Sequence, residues 1–141
     1  MVVQLRLEII NFRVNEDERG CLVAIEENKT IPFEIKRVYY IYNTNDKKRG
    51  FHAHRKTKQL MICLNGSCSI LLDDGYSRSE VTLDSPSKGL LIEQMVWREM
   101  YNFSDRCILM VLASEPYDEN DYIRSYRDFI YEIKNSKNLN S

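Results

Sequence analysis

Most of this chain reads as short strands, one with apolar and polar residues alternating at a period of two and the others as short apolar runs between turn residues. Leu5, Leu7 and Ile9 are interleaved with Arg6 and Glu8. A short apolar run at 21–25 follows Arg19-Gly20, and 35–42 is rich in β-branched and aromatic side chains. Runs at 60–64 and 69–72 flank Asn65-Gly66, a dipeptide suited to positive φ, so this pair predicts a hairpin. Asp73-Asp74-Gly75 turns the chain toward a further strand at 80–83, and 89–92 and 107–113 complete the set. Strands this short, with turn residues between them every roughly 8–12 positions, predict an all-β sandwich or small antiparallel barrel.

The period changes near the end. Tyr122, Ile123, Tyr126, Phe129, Ile130 and Ile133 recur at helical spacing. Asp118 can cap the start, and Glu119 and Asp121 suit the positive end of a helix dipole. One amphipathic C-terminal helix is therefore expected against the sheet, its aromatic stripe serving as packing. The polar residues 136–141 are expected to fray, leaving a single domain at 1–135.

Composition narrows the function classes. A length of 141 residues suits one domain, and five glycines and three prolines leave no linker. Twenty basic against 21 acidic residues give a net charge of -1, so no broad positive field awaits nucleic acid or an anionic membrane. No stretch approaches the ~20 apolar residues of a membrane span. Arg6 and Glu8 interrupt the amino terminus, so no secretory signal is expected. The expected address is the cytoplasm, with Cys21, Cys63, Cys68 and Cys107 reduced. The last three sit among apolar residues and read as small buried hydrophobes.

The stretch Arg49-Gly50-Phe51-His52-Ala53-His54 holds the chain's two histidines. Residues two apart on a strand share a face, so both imidazoles project into whatever that face lines. Such a pair first suggests a metal. A transition metal wants at least three good ligands, and no histidine lies beyond His54. No metal and no cofactor are expected. The pair is then free for proton transfer, since imidazole titrates near neutral pH.

The pattern Gly50, His52, His54, Gln59, Gly66 resembles the first motif of the cupin superfamily, with Gln59 where that motif carries glutamate. Over a longer span the chain resembles the dTDP-4-keto-6-deoxyglucose 3,4-ketoisomerases. The matching segments are Arg19-Gly20, Val23-Ala24-Ile25-Glu26, Ile31-Pro32-Phe33, Lys36-Arg37-Val38-Tyr39-Tyr40, Arg49 to His54 and Asn65-Gly66-Ser67-Cys68. Leu72-Asp73-Asp74-Gly75, Leu83-Asp84-Ser85-Pro86 and Val111-Leu112-Ala113-Ser114 extend the likeness to roughly residues 7–126. It implies a cupin-type barrel or jelly roll. It also implies an isomerase that moves a sugar carbonyl from C4 to C3 through an enediol, supplying a precursor of 3-amino-3,6-dideoxy sugars. The implied partner is a dTDP-linked 4-keto-6-deoxy sugar.

The resemblance makes His52 and His54 the active-site pair. Val38, Tyr40 and Tyr42 share one strand face and Arg37 and Tyr39 the other; Tyr40 is chosen as the phenol beside the histidines. A diphosphate needs arginines or backbone donors, and Arg19 and Arg49 are the candidates, with Lys47 and Lys48 left to a solvated loop. Gln59 can hydrogen-bond the sugar. In related 3,5-epimerases a lysine stands there, so its neutral amide argues against the epimerase alternative. Trp97 can stack on base or sugar, against the plainer role of core aromatic. Arg98 stands where the family usually has the histidine of Trp-His-Glu. A non-catalytic sugar-binding protein is the remaining alternative, and binding alone does not need two titratable groups on one face. A homodimer is expected from the early strand at Leu5, Leu7 and Ile9, whose free edge invites a partner.

Overall fold

The computed structural model describes residues 5–139. Strands β1 (Glu8–Asn11), β2 (Asn15–Asp17), β3 (Gly20–Leu22), β4 (Arg37–Ile41), β5 (Arg49–His54) and β6 (Gln59–Asn65) come first. They are followed by β7 (Cys68–Asp73), β8 (Arg78–Leu83), β9 (Lys88–Ile92), β10 (Trp97–Tyr101), β11 (Ile108–Ala113) and β12 (Tyr122–Ile123), then the helix α1 (Tyr126–Leu139). Two five-stranded sheets, ordered β1-β9-β6-β11-β4 and β12-β5-β10-β7-β8, face each other, and β2-β3 is a separate hairpin. Their pairings are antiparallel. This is the cupin-type barrel.

Alternation along each strand fills three layers. Met61, Ile70, Leu90, Ile92, Met100, Leu109 and Val111 point inward and form the main core between the sheets. The outward Leu60 and Ile62 of β6 are covered by Phe12, Ile31 and Phe33, so this strand is buried on both faces and reads as a continuous apolar run. On the outside of the second sheet, Ala53 and Trp97 pack against Ile123 and Phe129.

The carboxy-terminal segment differs from expectation. Asp118 caps a short 3-10 turn at Glu119–Asp121 rather than the helix, accepting from the Asn120 N–H. Tyr122 and Ile123 then pair with His54 and Ala53 of β5. The helix begins only at Tyr126, where the Ser125 hydroxyl accepts from the Asp128 N–H. Backbone hydrogen bonds offered by the edge of β5 override the helical spacing of the side chains. At the other end α1 continues to Leu139, past the tail boundary expected at 136. The early strand begins at Glu8; Leu5 and Leu7 instead pack against the main core, with Leu5 bonded through its backbone to Ser77 and Ser79. Among the described residues no helix is long and apolar enough to cross a membrane.

Candidate active site

The site begins with an irregularity in β5. Arg98 pairs with His52 and Glu99 with Gly50, which leaves Phe51 as an extra residue in a β-bulge. Gly50 and Phe51 both have positive φ, at 91° and 59°. Gly50 has a second reason to lack a side chain: a Cβ there would stand 3.0 Å from the Arg98 carbonyl oxygen. The bulge leaves His52 and His54 together on the inner face, as their spacing requires. His54 is fully buried and His52 is 8% exposed, with ring centroids 5.0 Å apart and edge-on.

The histidines differ in their partners. His54 Nδ1 lies 3.0 Å from Asp121 Oδ2. Asp121 also accepts from the Thr57 hydroxyl and from the Lys56 N–H. Burial alone would raise Asp121, but these donors and His54 outweigh it and hold its carboxyl below the usual range. The carboxylate therefore fixes His54 with its proton on Nδ1 and a lone pair on Nε2. Among the described residues neither His54 Nε2 nor either ring nitrogen of His52 has a hydrogen-bond partner. Burial first, and the Arg98 charge second, lower His52 to about 4 and His54 to about 3. Both imidazoles are neutral at physiological pH, each with a lone pair to accept a proton.

Arg98 is the most unusual inward residue. It is fully buried, donates to Gln59 Oε1, and reaches the Val96 carbonyl oxygen at 2.8 Å. Burial lowers it to about 10, which still leaves a cation at neutral pH. Gln59 Nε2 in turn donates to the Tyr39 hydroxyl at 3.2 Å. This is a poor donor set for a divalent cation. Asp121 occupies one nitrogen of His54, Arg98 occupies the Gln59 oxygen, and the guanidinium repels positive charge.

A cavity of about 530 Å³ opens over His52, lined by Arg37, Tyr39, Arg49, His52, Tyr122 and Arg124 among others, with the fully buried His54 beneath Tyr122. Tyr122 lies against both imidazoles, 5.1 Å from His52 and 4.4 Å from His54 between ring centres. Arg37 Nε is buried and without a partner among the described residues. Arg124 sits over the Tyr122 ring and pairs with Glu119 at 2.7 Å.

Several expected positions are corrected. Tyr40 is 63% exposed on the outer face of β4, stacked near Tyr42; its neighbour Tyr39 is the phenol that faces the site. Trp97 faces outward because Arg98 beside it faces inward. It packs on Tyr126 and Phe129 and donates to Glu99, away from the cavity. Arg19 pairs with Asp17 on the exposed β2-β3 hairpin and does not reach the histidines of its own chain. Arg49 lines the cavity, and Gln59 and Arg98 lie buried and bonded to each other next to Tyr39. Asp121, Tyr122, Arg37, Arg124 and Thr57 complete the site and carry no signal of it in the sequence. Asp121 and Tyr122 fitted a helix start, and nothing in their spacing from His54 announces contact.

The chain matches the family described as FdtA: WxcM-like, C-terminal, over residues 5–134. This chain belongs to that family. Within it, 58% of 123 aligned residues are identical to a TDP-4-oxo-6-deoxy-alpha-D-glucose-3,4-oxoisomerase of Aneurinibacillus thermoaerophilus, across 86% of this chain and 88% of the relative. A 3,4-ketoisomerase from Helicobacter canadensis superposes with a TM-score of 0.89 at 47% identity, covering 93% of this chain and 99% of that one. A sugar 3,4-ketoisomerase from Thermoanaerobacterium thermosaccharolyticum, solved with TDP, gives 0.89 at 47% identity over 92% and 96%. The FdtA-like fold thus extends over nearly the whole chain, including every residue that lines the cavity.

Proposed function

We propose that this protein is a dTDP-sugar 3,4-ketoisomerase that moves the carbonyl of dTDP-4-keto-6-deoxyglucose from C4 to C3. The observation that carries the reading is a pair of buried, neutral imidazoles with free ring nitrogens, one of them fixed by Asp121. An imidazole removes the proton from C3, next to the ketone. The electrons form an enediol, and the charge that develops on the C4 oxygen faces the buried Arg98 cation. A proton is then delivered to C4, while the C3 hydroxyl proton leaves and the C3 ketone forms. The sum is an isomerisation with no net redox change. Burial raises Tyr39 above the ordinary phenol range, so it stays protonated and suits the traffic of oxygen protons. Arg37, Arg49 and Arg124 at the mouth form a basic rim for the diphosphate.

The test is proton NMR of dTDP-4-keto-6-deoxyglucose with the protein in deuterated water. A 3-keto product carrying deuterium at C4 is expected. Inversion at C3 and C5 with the ketone left at C4 would replace this reading with the epimerase, and binding without turnover would leave a sugar-binding protein. Arg49→Ala should raise KM by roughly tenfold to a hundredfold, the worth of a charge-assisted contact, with kcat nearly unchanged.

The reading includes a homodimer. It is supported by the exposed Val38 and Tyr40 of the edge strand β4, with exposed Tyr42 just beyond its end, and by the exposed hairpin carrying Arg19. A monomer in sedimentation velocity at micromolar concentration would remove this part. A cytoplasmic address also belongs to the reading; the free thiols Cys63 and Cys107, with sulfurs 3.7 Å apart, suit a reducing compartment.

A further inference from the structure

Away from the histidines, the barrel interior holds a second group of chemically reactive side chains. Cys63 near the end of β6, Cys68 at the start of β7 and Cys107 just before β11 are all buried. Their sulfur atoms lie within 4.8 Å of one another, and Cys63 and Cys107 are 3.7 Å apart. Three sulfurs bonded to one atom at about 2.3 Å would stand about 4.0 Å apart around a planar centre, and about 3.5 Å around a pyramidal one. The thiols are thus close to the spacing of a three-coordinate site. Among the described residues no further histidine, cysteine or carboxylate joins the group. Leu83, Phe103 and Leu109 belong to the same apolar cluster.

Charge selects the ligand. Three thiolates around a monovalent or divalent ion would leave net negative charge in this apolar interior, which is costly without a partner. A trivalent centre leaves none. We propose that Cys63, Cys68 and Cys107 form a binding site for trivalent arsenic, taken up as neutral arsenous acid. At each sulfur an As–O bond breaks and an As–S bond forms, and the thiol proton leaves with the hydroxyl as water. Arsenic and sulfur keep their oxidation states, so no oxidant or reductant is needed. A cavity of about 300 Å³, lined by Asn43, Ser104, Arg106 and Cys107 among others, leads to the group. Cys63 is lowered to about 7, chiefly by its neighbour Cys68, and its thiol donates to the Asn65 carbonyl oxygen at 3.2 Å. Burial pushes Cys107 up to about 11, and the contact with Cys63 raises Cys68. Once bound, arsenic ties β6 and β11 of one sheet to β7 of the other.

The test uses the reduced full chain carrying Cys21→Ser, which removes the exposed thiol on β3, titrated with sodium arsenite. Native mass spectrometry should show a single arsenic gained with three hydrogens lost, and arsenic-edge X-ray absorption should show three sulfur neighbours and no oxygen. Cys68→Ala in that background should weaken binding by roughly a hundredfold or more, since even outer-sphere losses at bound metals cost 10–100-fold. An arsenic that keeps an oxygen neighbour, an adduct undiminished by Cys68→Ala, or no adduct overturns the proposal. Should Cys68→Ala fail to fold, the absorption spectrum of the Cys21→Ser protein decides alone.

Discussion

The two ends of the barrel are built on one alternation and filled in opposite ways. Gln59 opens the inward row of β6 and lies beside Arg98, near the histidine pair. Four residues on, about 13 Å along the strand, the inward residue is Cys63, in a cluster with Ile70 and Leu109. The first end buries a cation and imidazole nitrogens without partners among the described residues. The second buries almost only apolar atoms. Unpartnered buried polar groups cost stability, so the apolar end offsets what the polar end requires for chemistry. Substitutions at the two ends should therefore fail in different ways.

The sharpest break of that contrast is at the histidines. His52→Asn and His54→Asn keep much of the shape and remove the proton carriers. Turnover should fall by about 10²–10⁴, the worth of general acid–base catalysis, with little change in denaturant midpoint. Single-turnover kinetics alongside urea titration would measure both. Full activity in both variants would end the assignment.

At the other end the effect should invert. Leu109 is fully buried between the sheets. Leu109→Ala should cost about 2–5 kcal/mol of stability, through lost burial and the cavity left behind. Well below its lowered melting temperature, kcat should stay near that of the parent protein. A large loss of kcat in the still-folded variant would mean that the two ends are mechanically coupled.

What the sequence made legible follows the same division. Strands such as β6 and β11 show plainly as short apolar runs between turn residues, because burial on both faces leaves few polar positions in them. The histidine pair was visible because two imidazoles on one face have few other uses. The choice of Tyr40 over Tyr39 had no support in the pattern: adjacent tyrosines on a strand face opposite ways, and only packing of the sheet says which is inside. Asp121 and Tyr122 were hidden for another reason. Their local pattern satisfies a helix start, yet pairing of Tyr122 with His54 makes that segment the last strand of the sheet. Contacts across 67 residues, like that of His54 with Asp121, leave no trace in local spacing.

A milder test separates the ends by pH. The chain's two histidines both lie in the site, lowered to about 4 and about 3 by burial and Arg98. In the unfolded chain they take up protons near 6.5, whereas in the folded protein they stay neutral until much lower pH. The unfolded state thus binds more protons across pH 5–6.5, and stability must rise with pH there. Asp121 acts at lower pH, because its stabilisation is lost only as the carboxyl protonates below its unfolded value. Urea midpoints should therefore drop on going from pH 7 to pH 5, and the His52→Asn and His54→Asn variants should each flatten the slope. An unchanged slope in the double variant would assign the pH dependence elsewhere.

The smallest expected effect lies in the bulge that joins scaffold to site. Phe51, 41% exposed, holds a φ of 59°, a conformation that costs a residue with a side chain about 1–2 kcal/mol. Phe51→Gly removes that strain. It also gives the unfolded chain more freedom, which returns roughly 0.5–1 kcal/mol. The net should be a gain between about 0 and about 1.5 kcal/mol, read as a rise of at most several degrees in melting temperature. If the bulge only aims His52, kcat should hold, because the neighbouring register of Arg98 with His52 remains. If instead the Phe51 ring at the mouth grips the nucleotide, KM will rise while the protein becomes more stable. Steady-state kinetics and a thermal melt on the same preparation separate the two outcomes. A fall in melting temperature would show that the ring's packing outweighs the backbone strain.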